Sequence, residues 1–85
     1  MRTIITKIDQ EIIHLLSQRI SLVPELIDYK NEFKISIFQP EHEKQLYSKY
    51  WQIAVEKRLN PELVRQIFEL IIEETRNLQY EMTDH

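Results

Sequence analysis

The sequence predicts an all-α protein built from three helices per chain, the first of them long and kinked. Three observations carry this prediction. The 85 residues contain no glycine and only three prolines, so sharp reversals of the backbone are few. Apolar residues recur at spacings of three and four, the period of a helix face, rather than at two. Two of the prolines, Pro40 and Pro61, stand where a helix can begin, because a first helical residue has no intrahelical use for its N–H.

The first helix is predicted from near Thr3 to about Glu32. Ile5, Ile8, Ile12, Leu15, Leu22 and Leu26 form its apolar face. A helix of about 28 residues is roughly 42 Å long. The core of so short a chain cannot cover that length, which predicts a second copy as cover. Pro24 falls inside this helix and removes one backbone hydrogen bond. A kink is preferred over a break near Val23, because Leu22, Leu26 and Lys30 keep one phase across the proline.

Residues 33–38 (FKISIF) are β-branched enough for a strand, but no partner strand exists, so a loop is predicted. The second helix is predicted from Pro40 to about Lys57, with Gln39 before it. Glu41 and Glu43 in its first turn suit the helix dipole, and Leu46, Tyr50 and Ile53 continue its apolar face. The third helix has the clearest start: Asn60 as cap, Pro61 as first residue, and Leu59 placed to staple against Val64. It is predicted to run to about Glu81. The whole chain, 1–85, reads as a single helical domain without internal repeats.

Composition excludes several functions. With 42% hydrophobic and 29% charged residues the chain is globular rather than disordered. Without glycine there is no Rossmann turn, Walker loop or nucleophile elbow. Without cysteine there is no disulfide, thiol nucleophile or thiolate metal site. A formal charge of -3 argues against nucleic acid as a partner. No apolar run approaches the roughly 18 residues of a membrane span and no signal-peptide core is visible, so no membrane association and a cytoplasmic location are expected. His14, His42 and His85 are scattered, which predicts no metal site. Trp51, Tyr47 and Tyr50 read as packing residues, and Glu69, Glu73 and Glu74 as a solvated face.

The informative residues are those that interrupt the apolar stripes. Arg19 and Lys30 share the phase of Ile8, Ile12, Leu15, Leu22 and Leu26. Glu43 shares that of Leu46, Tyr50 and Ile53. Thr75 lies in line with Val64, Phe68, Ile71, Leu78 and Met82, with Gln79 beside Leu78. A buried charge without a partner is costly. One outcome is an internal ion pair between Glu43 and Arg19 or Lys30. The other, favoured by five such residues on three helices, is a polar pocket. Two cations, one carboxylate and two neutral hydrogen-bonding groups suit a small anionic ligand. They supply neither a nucleophile–base pair nor a metal cage, so no cofactor is expected.

The stretch IDQEIIHLLSQRISLV, the later YK, the PEHE and the stretch FELIIEETRNLQ resemble the all-helical chorismate mutases over nearly the whole chain, from about Arg2 to Gln79. The resemblance implies an intertwined homodimer with two active sites and conversion of chorismate to prephenate, toward phenylalanine and tyrosine. It implies that Arg2 reaches the partner's site. It assigns Arg19 to a substrate carboxylate, Lys30 to the ether oxygen and a carboxylate, and Glu43 to the ring hydroxyl. Thr75 takes the place of a serine that meets a carboxylate, and Gln79 completes the ether-oxygen site. Gln39 replaces an aspartate at the head of the second helix, and His42 replaces an arginine near the ring hydroxyl. Pro24 replaces an ordinary helix former.

The implied reaction is a pericyclic rearrangement of a dianion and needs no cofactor. Negative charge grows on the ether oxygen as the C–O bond breaks, and donors fixed there stabilise the transition state selectively. Two other readings remain open. One is a mutase or lyase acting on a relative, 4-amino-4-deoxychorismate or isochorismate. The first of these carries an ammonium in place of the ring hydroxyl, and an arginine lost at His42 would remove a like-charge clash. The other is a non-catalytic helical dimer.

Overall fold

A computed structural model describes residues 1–83, which are helical apart from short connections. His85, the last of the three scattered histidines, lies outside those residues. No strand occurs among them, and residues 33–38 all lie in the loop that precedes the helix beginning at Pro40.

The first helix comes in two segments, α1 (Arg2–Ser21) and α2 (Val23–Glu32), joined through Leu22 alone. Leu22 keeps right-handed helical angles (φ -88, ψ -4), and the axis bends by 35°. Pro24 has no N–H to give to the carbonyl of Ile20, and its ring crowds the preceding turn. The backbone answers with a tighter bond, from the N–H of Leu22 to the carbonyl of Arg19 at 3.3 Å, before the regular ladder resumes from Leu26 to Leu22 at 3.0 Å. The predicted kink is therefore present.

The other helices are α3 (Pro40–Glu56) and α4 (Pro61–Thr83), each opening on its proline. The Asn60 side chain caps α4, its Oδ1 accepting from the N–H of Glu62 at 3.0 Å. Gln39 precedes α3 without a side-chain cap.

Lacking glycine, the chain ends α2 and α3 on charged residues held in the left-handed region, Lys34 (φ 55) and Arg58 (φ 59). After α2, Ile35 donates to Lys30 at 2.8 Å and Lys34 to Asn31 at 3.3 Å. After α3, Leu59 donates to Ala54 at 2.8 Å and Arg58 to Val55 at 3.1 Å. Both are complete Schellman motifs, in which the last free carbonyls find donors.

The helices α2 and α3 both pack against α4. The rings of Tyr50 and Phe68 meet at 4.5 Å across the α3–α4 seam. The buried apolar core is small: Val23, Ala54 and Ile72. α1 buries no residue at all. Its predicted stripe exists, but Ile5, Ile8, Ile12 and Leu15 are each at least 50% exposed. The chain extends 47 × 26 × 16 Å with a radius of gyration of 15.1 Å, against about 12 Å for a compact chain of this length. Its surface is 7200 Å², roughly 1,800 Å² beyond what a compact monomer of this mass exposes.

Candidate active site

A cavity of about 140 Å³ lies where the bent first helix, the loop before α3, the first turns of α3 and the second half of α4 converge. Arg19, Lys30, Gln39, His42, Glu43, Thr75 and Gln79 all line it, with Leu26, Ile37, Leu46, Ile72 and Arg76. Every residue that the sequence singled out within one chain thus meets at one place. Arg2 is exposed at the start of α1 and does not line the cavity of its own chain.

The bend positions the first two cations. Arg19 is in the last turn of α1 and Lys30 in the last turn of α2. The Arg19 guanidinium donates to the hydroxyl of Thr75, and that hydroxyl donates in turn to the carbonyl of Ile71 at 2.9 Å. Lys30 is buried, and its ammonium donates to the carbonyl of Ile37 at 2.9 Å. Burial pushes the Lys30 pKa below the ordinary lysine value, a shift that the nearby Glu43 carboxylate partly opposes.

Gln79 is the most deeply buried polar residue, 2% exposed. Its amide nitrogen donates to the carbonyl of Thr75 at 3.2 Å, while its Oε1 is buried without a partner. A buried acceptor without a donor is expensive, so this oxygen calls for a donor that the chain itself does not supply.

Glu43 corrects one expectation. Its counterion is neither Arg19 nor Lys30 but Arg76, whose Nη1 donates to both carboxylate oxygens at 2.8 Å. Arg19 is taken by Thr75 and Lys30 by the Ile37 carbonyl, whereas α4 runs alongside the start of α3 and brings Arg76 against Glu43. The guanidinium also lies over the Phe38 ring, 4.9 Å from its centroid. The hydrogen bond to Glu43 holds the Arg76 pKa above the ordinary arginine value, with burial working against it. Sequence reasoning missed Arg76 because it falls off the apolar stripe of α4. The available signal was its place directly after Thr75 and three residues before Gln79, on the edge of the same face.

His42 is exposed at the rim, in the first turn of α3. Three cations and one carboxylate line the cavity, a formal excess of two positive charges in a chain whose overall charge is -3. Such a lining suits a small dianion. Among the described residues no group of three His, Asp or Glu could hold a metal ion.

A cation-rich cavity between the helices of an all-helical chain is built to suit the class of protein that orients a small anion. The family model described as chorismate mutase type II matches residues 1–80. The chain is also 32% identical over 79 residues to a protein of Methanocaldococcus jannaschii named chorismate mutase, covering 93% of this chain and 80% of that one. No solved structure matches significantly. The chain belongs to the type II chorismate mutase family.

Proposed function

We propose that the protein is a chorismate mutase, an isomerase that rearranges chorismate to prephenate. The observation that carries this reading is the convergence of Arg19, Lys30, Thr75 and Gln79 on one cavity with two positive charges in excess. Chorismate has two carboxylates. Arg19, braced by Thr75, takes one, and Lys30 stands between the other and the ether oxygen. Held this way the enolpyruvyl side chain lies over the ring, and much of the entropic barrier is met on binding. As the C–O bond breaks, charge collects on the ether oxygen. The Lys30 ammonium and the second N–H of the Gln79 amide are the donors for it. A desolvated ammonium is especially effective here, since little water must be displaced when the charge develops. Glu43 accepts from the ring hydroxyl, while Gln39 and His42 border the mouth of the site.

The working form in this reading is a homodimer. A second copy covers the exposed Ile5, Ile8, Ile12 and Leu15 stripe and adds its Arg2 to the cavity. No helix among the described residues is long and apolar enough to cross a membrane, and a cytoplasmic enzyme serving aromatic amino-acid synthesis, acting as a single domain, fits such a site. The test is direct: purified protein is given chorismate and the loss of its absorbance is followed, with prephenate identified by its acid conversion to phenylpyruvate. Turnover well above the spontaneous rate is expected. Binding without turnover would leave only a helical dimer with an anion site.

A further inference from the structure

The ring-hydroxyl end of the cavity keeps a cation, although α3 offers His42 where the resemblance places an arginine. We propose that Arg76 sets specificity at this end: by pairing with Glu43 it makes the site accept a neutral hydroxyl and refuse an ammonium. The proposal rests on reading the cavity as a chorismate site and names which member of that substrate class it takes.

The geometry makes Arg76 a fixed group. Glu43 holds it through two contacts of 2.8 Å, and the guanidinium carbon sits over the Phe38 ring. Both side chains of the pair are largely withdrawn from water, 26% exposed for Arg76 and 16% for Glu43, so solvent screens them less than a surface pair. One guanidinium nitrogen occupies one acceptor direction on each carboxylate oxygen, and each oxygen has another to offer. A hydroxyl donates there without adding charge. An ammonium would bring a second cation close to a guanidinium that Glu43 holds in place, and its attraction to Glu43 would be offset by repulsion from Arg76. Glu43 without Arg76 would instead be an unpaired carboxylate, the natural partner of an amine. The arginine missing at His42 therefore does not open the site to the amine. The cation has moved from α3 to α4.

The test compares kcat/KM for chorismate and 4-amino-4-deoxychorismate in the unaltered protein, Arg76→Met and Arg76→Lys, with helicity checked by circular dichroism. The unaltered protein should prefer chorismate. Arg76→Met should shift the ratio of the two values toward the amine by roughly tenfold or more, as expected when a charge clash is removed. Arg76→Lys, which keeps the charge, should retain the preference. The proposal is overturned if the unaltered protein prefers the amine, or if Arg76→Met slows both substrates equally or neither. It is also overturned if Arg76→Lys shifts the ratio as far as Arg76→Met does. A protein that turns over neither compound removes the chorismate reading itself, and with it the proposal. That result is distinct from normal chorismate turnover with an unmoved ratio.

Discussion

Arg19 and Thr75 are 56 residues apart, and the hydrogen bond between them ties α1 to α4 at the cavity wall. The Thr75 hydroxyl accepts from the guanidinium and donates its own hydrogen bond to the Ile71 carbonyl, so the arginine is aimed by a group that is itself fixed. Thr75→Val keeps the shape and removes this acceptor. It should raise KM for chorismate about tenfold, or ~1.4 kcal/mol, with a smaller effect on kcat, because in the proposed mechanism Arg19 serves binding in both ground and transition states. Thr75→Ser should stay near the original values. Steady-state kinetics on both variants decides the point.

Lys30 gives a pH prediction whose sign follows from its depressed pKa. The folded protein releases this proton more readily than the unfolded chain, so stability of the ligand-free protein should rise as pH climbs through the lowered pKa toward the ordinary lysine value. Activity should move the other way. In the proposed mechanism, loss of the Lys30 proton removes the charge set against the ether oxygen, so kcat/KM should fall over the same alkaline window. The limb should be weaker in kcat, because a bound dianion raises the Lys30 pKa again. Lys30→Gln should lower kcat by about 10²-fold or more and abolish the alkaline limb. A pH profile of both constants, with thermal melts across the same range, checks all of this. A change confined to KM would remove Lys30 from the ether-oxygen role.

The uncovered stripe of α1 predicts the state of assembly. Light scattering at micromolar concentration should return twice the 10.4 kDa chain mass. Ile12→Asp sets a charge in the middle of the stripe and should shift the protein to monomer, with loss of helicity and of activity together. A stably folded monomer in the unaltered protein would remove the shared-site arrangement and the role of Arg2.

Arg58 sits left-handed at the end of α3 with a side chain that the geometry disfavours. Arg58→Gly keeps the Schellman bonds and relieves that conformation, and should stabilise the fold by about 0.5–1 kcal/mol. The rise in Tm should come without change in kcat, since Arg58 does not line the cavity. Arg58→Val, which cannot adopt this conformation cheaply, should lower Tm.

Much of this protein is legible before folding. The starts of α3 and α4 are written in Pro40 and in Asn60–Pro61: each proline suits a first helical position, and at α4 the Asn60 cap stands beside it. The bend at Pro24 follows from one missing N–H. Arg19, Lys30, Glu43, Thr75 and Gln79 stand out because a polar group in an apolar stripe must find a partner or a ligand, and all five do line the cavity. These are short-range or periodic signals, and a sequence records them directly.

What the tertiary structure alone decided is who faces whom. Val23 and Ala54 become core although neither belongs to the stripes read from the sequence, while Ile5, Ile8, Ile12 and Leu15 remain uncovered by their own chain. Glu43 pairs with Arg76, a residue that α4 presents beside its apolar face and that reads in isolation as solvated. Amphipathic spacing tells which side of a helix turns inward. It does not tell which helix lies against that side, because the crossing of α3 over α4 is set by the packing of many side chains together. The counterion of the half-buried Glu43 carboxylate is chosen by that crossing.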